Sequence, residues 1–382
     1  LSGVEQGEYF DVRPYAEAAG AYLISVMNKR RMPRKLKVAF SSSPANATHA
    51  TFRDLGFVAR ADGAFDVYCC GGLGNNPKMG VRVASAIAPS RVLYYVEAMI
   101  RLFIAYGDYT NRSRARTRYL QDTLGENLKS EFDLKLVEAM ALDLDIDVSP
   151  QTVNKQGKAG SFDDPRVIPQ KQDGLYAVSY HPIGGELSPA SLYRIEELIR
   201  DIDACEVRIG PDETMYIINL TADEVPAVLK GTDDGARTAF EHSVSCVGAS
   251  ICQVGLRDSN GALQQLVRAL RPYEFADGVL PRIHISGCTS SCGTHQSAQI
   301  GLQGTVKLVD QKPQPAYVLS AGGCDQQGKE TFGKVIGTIL ESDLIAFFTK
   351  LGTTISAAQE TYETWIRDHG EEFAALAAEY TR

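Results

Sequence analysis

Four of the eight cysteines fall into two spaced pairs. "SCVGASICQVG" sets Cys246 and Cys252 with five residues between them, and "HISGCTSSCGTH" sets Cys288 and Cys292 with three between them. Two pairs make one tetrathiolate site. A cube-shaped iron–sulfur cluster needs four thiolates aimed inward at its corners, and small neighbours let backbone N–H groups approach the sulfides. Gly248, Ala249, Gly287, Ser290, Ser291 and Gly293 supply that freedom. Structural zinc usually takes pairs roughly two to four residues apart, so the wider pair fits it poorly, although His284 and His295 flank the second pair as substitute ligands. Reduced, unligated thiols in turns are the plainer reading of either pair alone. Cys69, Cys70, Cys205 and Cys324 have no spaced partner; Cys69, Cys70 and Cys324 end or follow apolar strand-like runs and read as small buried hydrophobes.

The elements that position these thiols belong to an ordinary globular chain. At 382 residues and 44% hydrophobic it is long enough for two or three packed domains. Its 39 basic and 47 acidic residues leave a net charge of −8, with no basic run interleaved with aromatics, so no nucleic-acid partner is expected. No apolar run approaches the roughly 20 residues of a membrane span. The stretch "LSGVEQGEYFDVRPYAEAAG" has neither the charged head nor the apolar middle of a signal peptide, and a cytoplasmic location is expected.

An internal repeat organises the rest. "LKVAFSSSPANATHATFRDLGFVAR", later reaching "FDVYCCGGLG", runs parallel to "RIHISGCTSSCGTHQSAQIGLQGTVKL", later reaching "AYVLSAGGC". Ser43 falls opposite Cys288 and Ala47 opposite Cys292; Leu55-Gly56 meets Ile300-Gly301, and Gly71-Gly72 meets Gly322-Gly323. One copy keeps the thiols and the other keeps the backbone without them.

Residues 1–150 read as the first module, 151–173 as a polar linker, 174–238 as a half-module and 239–382 as the second module, with the thiols. The first module ends in a helix-rich stretch from "SRVLYYVEAMIRLFIAY" onward, with Arg112, Arg114, Arg116 and Arg118 expected in one helical segment. The half-module reads strand, Gly turn, helix, then "EVRI" and "MYIIN" as strands around a Pro-Asp turn, an α+β unit of ferredoxin-like type. The C-terminal residues read as a pair of amphipathic helices.

Cys-x5-Cys followed by Ser-Gly-Cys-x3-Cys-Gly, inside a doubled module with "LGFV", "GGLG", "IGLQG" and "AGG", resembles the sirohaem- and 4Fe-4S-dependent nitrite and sulfite reductases. "MPRKLKVAF" and "YTNRSRARTRYLQDTLG" match further segments of that family in order, and the resemblance covers nearly the whole chain. It implies an α+β fold of duplicated sulfite-reductase-like modules, mixed sheets with helices, plus the ferredoxin-like half-module. It also implies six-electron reduction of sulfite to sulfide or nitrite to ammonia. The 4Fe-4S cluster would be held by Cys246, Cys252, Cys288 and Cys292, with Cys292 bridging to the sirohaem iron. Lys35 and Lys37 would bind the anion and supply protons, placed on one face by strand alternation.

By the same resemblance Arg112, Arg116 and Arg208 would meet the many carboxylates of sirohaem. Two departures stand out: Gly210 and Glu213 replace the usual Thr and Gln after the last of these arginines, and "GCTSSCG" lacks the common Pro and Asn. The implied electron donor is a ferredoxin or a flavoprotein. The family also carries an earlier half-module that pairs with the one at 174–238 and contributes substrate-binding arginines; it would belong to a longer chain, come from a separate polypeptide, or be lost in processing. Two other classes fit the thiols, a non-catalytic iron–sulfur electron-transfer subunit and a zinc-stabilised binding module.

Overall fold

A computed structural model describes residues 1–149 and 152–381. The boundary read at 150/151 falls on Pro150 and Gln151, outside the described residues. The chain forms two compact units, one of Leu1–Gln156 with Pro169–Gly174 and Gln326–Gly328, the other of the remainder.

The first unit opens with helix α1 (Arg13–Met27) and builds a four-stranded sheet in sequence order from β1 (Val38–Ser41), β2 (Leu55–Ala59), β3 (Phe65–Cys69) and β4 (Val81–Ile87). β1 and β2 are parallel and the other pairs antiparallel. Every residue of β2 is buried, and Phe57 stacks on Phe40 with ring centroids 4.7 Å apart. Each such buried phenylalanine contributes roughly 2–3 kcal/mol of hydrophobic burial. Helix α2 (Val92–Tyr106) is apolar almost all round and therefore lies inside the unit. Its one buried acid, Glu97, is tolerated because Tyr22, Arg30 and Arg101 all donate to its carboxylate. Helices α3 (Leu120–Leu124) and α4 (Leu128–Ala139) follow.

The expected helix across the four arginines does not form. Asp108 Oδ1 accepts from the backbone N–H groups of Thr110 and Asn111, and Asn111 Oδ1 from that of Ser113. These short polar side chains satisfy the backbone locally and compete with helix. Only Thr117–Tyr119 makes a single 3-10 turn.

In the second unit β5 (Val167–Pro169), β6 (Tyr176–Tyr180), helix α5 (Pro189–Ile199), β7 (Glu206–Ile209), β8 (Met215–Leu220) and helix α6 (Val225–Gly231) form a sheet of order β5-β6-β8-β7 with two helices. β5 thus lies within the stretch read as linker. Ser188 caps α5 by accepting from Ser191 N–H. A five-stranded sheet then comprises β9 (Val244–Ser245), β10 (Ile283–Ser286), β11 (Ile300–Val309), β12 (Lys312–Ala321) and β13 (Lys334–Leu340), in the order β13-β12-β11-β10-β9. Helix α7 (Ser259–Leu270) joins β9 to β10. Three C-terminal helices close the unit, α8 (Leu344–Ala358), α9 (Tyr362–Asp368) and α10 (Gly370–Tyr380), where the sequence reads as a pair. The extra break falls at His369-Gly370, where helical geometry is interrupted.

The internal repeat is structural. β10 pairs with β11 as β1 pairs with β2, in parallel, with Ile283 opposite Ile300 and Val38 opposite Leu55. Each first strand leads into a loop whose left-handed residues occupy the same two places, Asn46 and His49 in one copy, Ser291 and Thr294 in the other. Each loop ends in a one-turn 3-10 helix, Ala50–Phe52 or His295–Ser297. An added Cβ at Gly56 would strike Ala50 O, and one at Gly301 would strike His295 O, so glycine is required twice for the same close approach. Ser43 and Cys288 are thus equivalent, as are Ala47 and Cys292. At the later glycines the register differs by one residue from the sequence reading. Cys70 N–H donates to Asp54 O as Gly322 N–H donates to Gln299 O. The left-handed conformation at that place belongs to Cys70 and Gly322, with φ of 59° and 81°.

Candidate active-site cations and thiolate loops

The thiol loops lie at the carboxyl ends of two neighbouring parallel strands, a common location for ligand sites in such sheets. β9 and β10 pair in parallel with Ser245 opposite Ile285, so Cys246 and Cys288 leave the sheet side by side. The loop carrying Cys246 and Cys252 is laced to the one carrying Cys288 through Gly287. Gly287 N–H donates to Cys246 Sγ at 3.2 Å, and Gly287 O accepts from the N–H groups of Leu256 and Arg257 at 2.8 and 2.9 Å.

A side chain at Gly287 would meet Arg257 O at 2.5 Å, and one at Gly293 would meet Ile285 O at 2.2 Å. Gly248 turns with φ of 68°, and Cys252 N–H closes that turn onto Gly248 O. No disulfide joins any of the eight cysteines. Cys246, Cys252 and Cys288 are partly exposed and Cys292 is exposed, whereas Cys69 and Cys70 are fully buried as their apolar setting suggests. Cys324, expected buried, is partly exposed because it bridges to Thr331 beyond the strand end.

These loops have the chemistry of a cluster cradle. They offer four thiols outside any disulfide, a backbone N–H already aimed at a sulfur, and glycines where the two loops touch. His284 does not act as a substitute ligand through Nδ1, which is engaged with Gly293 O and Thr294 Oγ1. Among the described residues no three His, Cys, Asp or Glu side chains converge on a single ion.

Glu213, just before β8, meets Ser245, the residue that precedes the thiol loop. Its Oε2 accepts from Ser245 N–H at 3.2 Å, and burial, assisted by Asp212, raises its pKa to about 7 against the pull of the Ser245 N–H and Arg282. Arg208 lies on edge strand β7 and pairs with Glu206 at 3.0 Å.

In the first unit Lys35 and Lys37 precede β1 rather than lying in it. Pairing still extends to Lys37, whose O accepts from Leu55 N–H, but Lys37 N–H donates to Asp54 Oδ2 at 2.8 Å, so a side chain takes the place of a ladder partner. Asp54 also receives Arg116 Nη2 at 2.8 Å and the Thr117 hydroxyl.

Although the Lys37 side chain is exposed, partial desolvation of its ammonium together with the charges of Arg53, Arg116 and Lys35 holds its pKa below the ordinary value, and Asp54 pulls the other way. Burial and the charge of Arg116 act likewise on Arg53, whose guanidinium meets Thr48 O and His49 Nδ1. Lys37, Arg53 and Arg116 thus share the field of one carboxylate, with Lys35 next to Lys37. Among the described residues neither Lys35 nor Lys37 has an ion-pair partner, so the site carries excess positive charge suited to an anion.

Arg114, Arg116 and Tyr119 line a nearby cavity of about 300 Å³. Arg118 is buried against Gly72 and donates to Asn75 O. Arg112 is exposed, and its carbonyl accepts from Arg34. The structure therefore brings Arg116 to Lys37 and leaves Arg112 on an outer loop. Arg53 and Asp54 escaped the sequence reading, although "TFRDLG" against "QSAQIG" already shows a charged pair in one copy only.

Comparison with known proteins agrees with this architecture. Residues 1–139 match the Nitrite and sulphite reductase 4Fe-4S domain, and residues 168–234 match the Nitrite/Sulfite reductase ferredoxin-like half domain. The first match falls on the copy without the paired thiols. A ferredoxin–nitrite reductase of Synechococcus elongatus is 27% identical over 80% of this chain and 60% of its own length. A sulfite reductase [ferredoxin] of Mycolicibacterium paratuberculosis is 25% identical over 80% of this chain and 55% of its own. The chain thus spans a little over half the length of these relatives. The Mycobacterium tuberculosis NirA protein shares the fold, with a TM-score of 0.76 at 22% identity over 91% of this chain and 65% of that one. With two family domains matched in order on a duplicated fold of that architecture, the chain belongs to the nitrite and sulfite reductase family.

Proposed function

We propose that this chain carries the cluster loops and the anion-binding cations of an enzyme that reduces sulfite to sulfide or nitrite to ammonia. The observation that carries the reading is the excess of Lys35, Lys37, Arg53 and Arg116 over the single carboxylate of Asp54. Cys246, Cys252, Cys288 and Cys292 would hold a 4Fe-4S cluster, and Cys292, the most exposed of the four, is the one assigned to the bridge with sirohaem. When bound, that pair of groups would relay six electrons one at a time from the external donor and would supply a redox-active metal.

The protein side does the rest. The cations gather a small oxyanion and stabilise the charge that each electron adds. The oxygens leave as water, so protons must arrive at the same place. Lys37 suits that role because its crowded ammonium gives up a proton more readily than an ordinary lysine. Arg116 belongs either to the substrate oxyanion or to the carboxylates of the tetrapyrrole; Arg112 and Arg208 are outer candidates for the latter. The electron donor is a ferredoxin or flavoprotein, a second half-module from a longer chain or a separate polypeptide would complete the one at 174–238, and the location is cytoplasmic. Among the described residues no helix is long and apolar enough to cross a membrane.

The deciding experiment is an absorption spectrum with iron and acid-labile sulfide analysis on anaerobically purified protein. Sirohaem bands with more iron than one cluster contains, and turnover of sulfite or nitrite, are expected. A cluster spectrum without haem bands would instead make this an electron-transfer subunit, and colourless protein holding zinc would make it a binding module.

A further inference from the structure

Taking Lys37 and Arg116 as anion-binding groups, we propose that Asp54 is the positioning residue that sets both of them. Its carboxylate is almost completely buried, with 1% of the side chain exposed. Oδ2 accepts from Lys37 N–H and from Arg116 Nη2, each at 2.8 Å. Oδ1 accepts from the same Arg116 nitrogen at 3.1 Å and from the Thr117 hydroxyl. One rigid group at the start of β2 therefore ties down the approach to β1 and the turn after the arginine loop. The segments on either side are otherwise irregular, so this carboxylate decides where the two cations stand. It takes the backbone N–H of Lys37, while among the described residues no ion pair engages the Lys37 ammonium.

The duplicated module provides an internal control. The second copy has the same parallel strand pair in the same register, with Ile283 opposite Ile300. At the place of Asp54 it has Gln299, which is exposed; at the place of Arg53 it has Ala298, and at that of Lys37 it has Arg282. The module backbone therefore forms without a carboxylate at this position. Burying one is costly unless it is paired and fully hydrogen-bonded. The first copy meets that condition through the groups assigned to the anion, which ties Asp54 to the site rather than to the strand pair.

The test uses the full protein, with nitrite and sulfite each as probe, and compares Asp54→Asn, Thr117→Val and Lys37→Met at matched haem content. Asp54→Asn keeps the shape and some acceptor capacity but loses the charge; it should raise KM and the anion dissociation constant roughly tenfold, as loss of a charge-assisted contact does. Thr117→Val removes one donor with no change of charge, and a rise of about two- to fivefold is expected. Haem bands and the helical circular dichroism should not change.

An Asp54→Asn protein with normal haem and unchanged KM would overturn the proposal. So would one that loses haem while its loaded fraction keeps a normal KM, because the carboxylate would then serve the tetrapyrrole. If Asp54→Asn does not fold, an unchanged KM in Thr117→Val is the overturning result. Unaltered anion affinity in Lys37→Met would instead remove the anion-site reading on which the assignment of Asp54 rests.

Discussion

The Sγ of Cys246 accepts a hydrogen bond from the backbone N–H of Gly287 at 3.2 Å, joining the two cysteine loops at the residue just before Cys288. Backbone N–H groups that reach the sulfurs are what a cluster cradle requires. Replacing Cys246, Cys252, Cys288 or Cys292 singly by Ser should reduce iron and acid-labile sulfide to a small fraction of the unaltered protein. Cys205→Ser, on a partly exposed thiol before the β7 strand, should leave both unchanged. Metal analysis of the five proteins checks this directly.

The cations should separate into two classes. Lys35→Met with Lys37→Met is expected to abolish turnover while the haem spectrum persists. Arg116→Ala should lower kcat/KM by at least an order of magnitude, because a charge contact to an anion and the pairing of Asp54 are lost together. Arg112→Ala should change it by less than about threefold, since that side chain is exposed on the outer loop. Steady-state kinetics on the three variants provides the comparison, and equal losses at Arg112 and Arg116 would contradict it.

Anion affinity should also depend on pH through Lys37. Its pKa lies below the ordinary lysine value because of partial desolvation and the charges of Arg53, Arg116 and Lys35, only partly offset by Asp54. The protonated form binds the anion, so affinity is present at low pH and is lost as pH rises through that lowered pKa. Lys37→Arg should move the alkaline limb upward, because a guanidinium stays charged. A titration of nitrite or sulfite binding from neutral to alkaline pH reads this limb.

Glu213 makes a stability prediction of definite sign. Its pKa is about 7 in the folded protein against an ordinary 4.5, so the folded state favours the protonated acid. Stability linked to this group is therefore present below the ordinary value and is lost as pH rises from there through about 7. Glu213→Gln should raise Tm at pH 8, by an amount corresponding to at most about 3 kcal/mol, and should matter little at pH 4. Thermal melts at the two pH values check it; a variant less stable at pH 8 would reverse the sign.

Gly293 tests the packing of the thiol loop. A methyl there would meet Ile285 O at 2.2 Å, inside a backbone contact that cannot yield by side-chain rotation. Gly293→Ala should destabilise the second unit by about 1–3 kcal/mol, the usual cost of overpacking, and lower cluster content with it. Gly328→Ala is not a matched control, because Gly328 has a left-handed φ of 79°. Gly20→Ala is the better one, with open space around its Cβ position and helical surroundings in α1 that favour alanine. Melting curves and sulfide content together test the pair.

Much of this protein was legible in its residues. Spacing alone singled out the four thiols, and the repeat of "LGFV" and "IGLQG" placed Ser43 against Cys288 and Ala47 against Cys292, because strand register and close glycine contacts recur in both copies. The α+β half-module followed from its strand and turn pattern. The missing arginine helix was a local matter that the short polar residues Asp108 and Asn111 already signalled, since they capture backbone N–H groups two or three residues on. Tertiary structure decided what local pattern cannot encode: the Asp54 side chain replaced a ladder partner at Lys37. The same carboxylate gathered Lys37, Arg116 and Thr117 from segments distant in sequence. Hydrophobic and glycine periodicity reports contacts a few residues or one module repeat apart, whereas a buried charge finds its partners only when the chain has closed around it.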